Sequence, residues 1–69
     1  MLIEFSHNNK VICAGDLKNK AYEISKFIDS NPSGSYSLKV LKQLKTKTKV
    51  LREITNACDI TERCLLSLL

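Results

Sequence analysis

The sequence predicts an α+β fold, an N-terminal β-hairpin followed by three or four short helices, and three observations carry that reading. Two short, partly β-branched apolar stretches, Leu2 to Phe5 and Val11 to Ala14, flank the turn-forming cluster Ser6-His7-Asn8-Asn9-Lys10. From Leu17 onward, apolar residues recur at three- and four-residue steps, as a helix with one buried face requires. The chain has 69 residues, 43% of them hydrophobic. A chain so short buries only about 60% of the surface its unfolded form exposes, so residues 1–69 make one small domain with one core.

Taken in order, the hairpin should end at Gly15, which breaks the second strand. Asp16 then caps the first helix, its carboxylate accepting from the free amides of the first turn. The helix buries Leu17, Ala21, Ile24 and Ile28, joined by Tyr22 and Phe27, and turns Lys18, Asn19, Glu23, Ser25 and Lys26 outward. It must stop near Ser30, because residues 29–35 hold the only proline and one of the two glycines. Ser37 caps a second helix running to about Leu44, with Leu38, Leu41 and Leu44 on one stripe and Val40 beside it. Residues 45–49, Lys-Thr-Lys-Thr-Lys, suit an exposed strand as well as a helical connection. Val50, Leu51, Ile54, Ala57 and Cys58 return to the helical period. Asp59-Ile60-Thr61 makes a turn in which Thr61 caps a last helix, Glu62 to Leu68. Core candidates are Ile3, Phe5, Val11, Cys13, Leu17, Ile24, Ile28, Leu41, Ile54 and Leu65. The hairpin must rest on the first helix, since two strands alone are marginal in water.

The charges are unevenly placed. Residues 1–35 hold four lysines and four acids, whereas residues 36–69 hold seven basic and three acidic groups, so the whole net charge of +4 lies in the second half. Lys39, Lys42, Lys45, Lys47, Lys49 and Arg52 follow one another with no acid between them. Such a field favours phosphates or an acidic protein surface. On the second predicted helix, Lys39 and Lys42 sit about one turn apart, placed to track one strand of a duplex. The plainer reading is a solvated helix face and a charged loop that keep a small protein soluble. Tyr36 is the only aromatic residue in residues 36–69, so base stacking on single strands is not served and a duplex or a protein surface is favoured.

Catalysis has no foothold in the pattern: no paired carboxylates, no Ser/His/Asp spacing, no phosphate-cradling glycine loop. Cys13, Cys58 and Cys64 are odd in number and lack CxxC spacing, against a disulfide framework or a zinc site, and His7 reads as a turn residue. No catalytic residue, metal, cofactor or small-molecule substrate is therefore expected. The amino terminus lacks the layout of a signal peptide, and no apolar run reaches the ~18 residues of a membrane helix. The expected location is the cytoplasm, away from membranes.

Residues 54–68, Ile-Thr-Asn-Ala-Cys-Asp-Ile-Thr-Glu-Arg-Cys-Leu-Leu-Ser-Leu, resemble the helix-turn-helix of phage repressors and related small regulators. Ile54, Cys58, Ile60, Leu65 and Leu68 match its packing positions. The resemblance implies a second helix entering the major groove through Thr61, Glu62, Arg63 and Leu66, with Arg63 reading a guanine edge and Thr61 holding a phosphate. Thr55 stands where the motif has a small residue and Asp59 where it has a glycine.

Two functional classes follow. One is a small DNA-binding regulatory protein of phage, plasmid or bacterial type. It would grip double-stranded DNA through Lys39, Lys42, Lys45, Lys47, Lys49, Arg52, Thr61 and Arg63, as a homodimer joined by Leu65, Leu66, Leu68 and Leu69. The other is a protein-binding inhibitor or antitoxin-like module with no nucleic-acid contact, using a strand edge or the leucine-rich end.

Overall fold

The computed structural model describes all 69 residues. In chain order they form β1 (Leu2–His7), β2 (Lys10–Asp16), α1 (Leu17–Ser30), β3 (Tyr36–Gln43), β4 (Thr48–Ile54), a 3-10 turn (Ala57–Asp59) and α2 (Glu62–Leu66). The strands make one antiparallel sheet in the order β2-β1-β3-β4. The predicted hairpin followed by three or four helices is thus corrected to a four-stranded sheet with one substantial helix.

The first hairpin and helix follow from local chemistry. Asn8 and Asn9 adopt φ of 52° and 65°, and a two-residue turn of that hand matches the twist of the flanking strands. Asparagine tolerates it at low cost. Gly15 lies within β2, opposite Ile3, rather than breaking it. Asp16 occupies the N-cap of α1 but makes no capping bond; its Oδ1 accepts from the Met1 amino group at 3.2 Å. Helix α1 buries Leu17, Ala21 and Ile24, with Phe27 and Ile28 half-buried against the same core. It ends where Asn31 donates through its backbone N to the carbonyls of Phe27 (2.9 Å) and Ile28 (3.2 Å), just before Pro32, which cannot continue the ladder.

The second and third predicted helices are strands. In β3, the side chains buried are Tyr36, Leu38 and Val40, a period of two; the three-residue spacing of Leu38, Leu41 and Leu44 imitates a helix stripe, but Leu41 lies on the opposite face from Leu38, and Leu41 and Leu44 are only half-buried. In β4, Leu41 pairs with Val50 and Val40 with Arg52, so Leu51 is an extra, bulged residue. A bulge interrupts strand alternation, and the resulting spacing of Val50, Leu51 and Ile54 mimics a helix. The last helix is there but shorter: Thr61 Oγ1 accepts from the Cys64 amide at 3.2 Å.

All core side chains share one face of the sheet. Ile3 and Phe5 of β1, Tyr36, Leu38 and Val40 of β3 and Ile54 of β4 meet Leu17, Ala21 and Ile24 of α1, with Ile60 and Leu65 closing the far side. No polar residue is buried among them. Of the expected core, Val11 is 54% exposed, and Cys13, Ile28 and Leu41 are only half-buried. No helix covers the opposite face, which presents Leu2, Glu4 and Ser6 of β1 beside Ser37, Lys39 and Leu41 of β3. No helix is long and apolar enough to cross a membrane.

Candidate functional site

The basic segment becomes the second hairpin. The amide of Leu44 donates to the carbonyl of Lys47 at 2.8 Å, closing a turn whose tip is Lys45-Thr46. Beneath it Gln43 pairs with Thr48, and the Thr48 hydroxyl donates to Gln43 Oε1 at 3.0 Å. One step further down, Lys42 stands directly opposite Lys49. Residues opposed in this way have Cβ atoms about 5 Å apart on one face of the ribbon, where like charges repel. Lys42, Lys45, Lys47 and Lys49 are all exposed. The molecule's two ion pairs, Met1 with Asp16 and Lys20 with Glu23, involve none of them.

The six cations of residues 39–52 do not form one surface. On a helix Lys39 and Lys42 would share a side; on a strand an odd spacing sends them to opposite faces. Lys39 lies on the open face, flanked in register by Glu4 on β1 and Glu53 on β4. Lys39 thus has acids as register neighbours, whereas Lys42 and Lys49 face each other. Arg52 pairs with Val40 and is exposed on the helix-bearing side.

The helix-turn-helix is not formed. Its first helix is β4 and the 3-10 turn, and α2 has only five residues. The Thr61 hydroxyl is engaged as the α2 cap, and Arg63 lies exposed in that single turn. Among the leucines, Leu65 is fully buried in this chain's own core and Leu68 is half-buried against it, leaving Leu66 and Leu69 exposed.

Sequence reading missed the opposed Lys42 and Lys49. The signal for them is symmetry: both lie three positions from the Lys45-Thr46 tip, and Thr46, Thr48 and Val50 alternate as a strand does. It also missed the polar rows of the open face, where a shallow depression of about 470 Å³ is lined by Ser6, Asn9, Ser37, Glu53 and Thr55 among others. Among the cysteines, burial and the nearby Glu23 carboxylate push the Cys13 thiol above its ordinary pKa, with Lys20 opposing weakly. That keeps it protonated and poorly nucleophilic. No three His, Cys, Asp or Glu side chains gather as a metal site would need.

A scan against protein-family models found no match, and searches of curated proteins and of solved structures found none either.

Proposed function

We propose that the protein binds double-stranded DNA through the phosphates, using the β3–β4 hairpin as a basic ribbon. The observation that carries this reading is the directly opposed, unpaired Lys42 and Lys49 beneath a turn bearing Lys45 and Lys47. Four like charges on one short ribbon work against the hairpin's own stability, and a polyanion turns that repulsion into attraction. A two-stranded ribbon fits the major groove, about 12 Å wide. The hairpin's one aromatic side chain, Tyr36 at the start of β3, is buried, which favours backbone contacts on a duplex over base stacking on single strands. In this role the protein acts as a regulatory or architectural factor, with phosphate contacts setting affinity and position.

Fluorescence anisotropy with a labelled duplex at low salt tests it. With four phosphates engaged, log K should fall against log salt with a slope of about −3.6. Lys45→Glu and Lys47→Glu, both in the exposed turn, should each weaken binding on every sequence tried. Absence of binding at low salt, or binding indifferent to both substitutions, overturns the proposal.

A further inference from the structure

The uncovered face of the sheet carries a pattern that a second copy of the chain can read. Its two central strands, β1 and β3, pair without any register shift, and their outward residues form three rows: Leu2 with Leu41, Glu4 with Lys39, and Ser6 with Ser37. Each row joins chemical complements, apolar to apolar, acid to base, hydroxyl to hydroxyl. Leu2 is 36% exposed although it sits on a central strand.

We propose that this face is the interface of a homodimer in which two sheets stack face to face about a two-fold axis parallel to the strands, midway between β1 and β3. That rotation exchanges the central strands, so β3 of one copy lies over β1 of the other. Lys39 then meets Glu4 of the second copy and Glu4 meets its Lys39. Leu41 packs on Leu2, and Ser37 comes over Ser6. An isologous interface must be complementary to itself in just this sense. Stacked sheets lie about 10 Å apart, a gap that a Lys and a Glu reaching towards each other span.

The charges also select the axis. A two-fold perpendicular to the strands through the Glu4 and Lys39 row would set Glu4 on Glu4 and Lys39 on Lys39. Along the strands, the outer members of that row, Ala14 on β2 and Glu53 on β4, meet each other and no like charges oppose. A second copy suits the face better than an acidic or a basic partner, because the row alternates in sign. Four short strands make a small interface, so association should be concentration-dependent.

The test is sedimentation equilibrium from about 10 µM to 1 mM, a span that resolves the dissociation constants of small interfaces. Wild type should dimerise. Glu4→Lys and Lys39→Glu should each self-associate at least about a hundredfold more weakly, since like charges then oppose twice across the axis. An equimolar mixture of the two variants should restore the dimer as a heterodimer, in which both contacts again join acid to base. That mixture separates an interface effect from a folding effect, because neither variant's own fold changes on mixing. A monomeric wild type at 1 mM, variants that dimerise as wild type does, or folded variants that fail to associate when mixed each overturn the proposal.

Discussion

Lys42 of β3 and Lys49 of β4 face each other directly, one step below the Gln43 and Thr48 pair, and neither has an acidic partner within the chain.

Replacing one of the pair should separate stability from binding. Lys42→Glu turns a repulsive cross-strand pair into an attractive one and should stabilise the fold by about 0.5 kcal/mol, raising Tm by about 3 °C in a chain of this size. Duplex affinity, measured by anisotropy, should fall in the same variant. A lower Tm would contradict the facing geometry.

A side chain at Gly34 would strain the backbone and push aside its neighbours. The glycine's φ is +108°, and a Cβ there would lie 2.5 Å from Asn8 Oδ1 and 2.7 Å from His7 Nε2. Those atoms hold the first turn to the 31–35 loop: Asn8 Oδ1 accepts from the Ser35 amide at 3.0 Å, and His7 Nε2 lies 2.8 Å from the Ser33 carbonyl. Gly34→Ala should cost about 2 kcal/mol through strain and the displaced staple, a Tm drop of about 10 °C by calorimetry.

The leucine-rich end should split in two by alanine substitution. Leu65→Ala empties a fully buried position and should destabilise by about 3 kcal/mol in chemical denaturation. Leu66→Ala, at an exposed site, should stay within about 0.5 kcal/mol of wild type.

Thiol labelling should rank the cysteines. At neutral pH exposed Cys58 should react before Cys13, whose thiol is held protonated by burial and by Glu23. Because the folded pKa of Cys13 lies above the ordinary 9.0, the unfolded chain loses that proton first. Its contribution to stability is full below the ordinary value and declines as pH rises through the folded one. Cys13→Ser should flatten that alkaline decline.

How much of this was legible depends on where pattern and structure share a period. The Asn8-Asn9 hairpin and α1 were legible because turn chemistry and a 14-residue amphipathic stripe are local signals. Thr61 was legible as a cap for the same reason. Residues 37–44 were not, since Leu38 serves a two-residue and a three-residue period alike, and only pairing with β1 decides between them. Residues 50–54 misled for another cause: the bulge at Leu51 shifts the alternation by one, and a bulge is specified by the partner strand. The basic segment was visible as composition, yet its division into a flanked Lys39 and an unflanked tip needed the register.

The strand order has a consequence for how the molecule opens. β1 and β2 are joined by the two residues Asn8-Asn9, β3 and β4 by the four residues 44–47, and only the β1–β3 ladder pairs the two hairpins across the sheet. That ladder is the only backbone pairing between the two hairpins, a seam that closes a loop containing all of α1. Each hairpin keeps its own ladder, and native-state hydrogen exchange should find the seam's amides, those of Glu4, Ser6, Asn8 and Lys39 among them, lost together in one subglobal event. The basic ribbon can stay hydrogen-bonded through that event, because none of its own rungs crosses the seam.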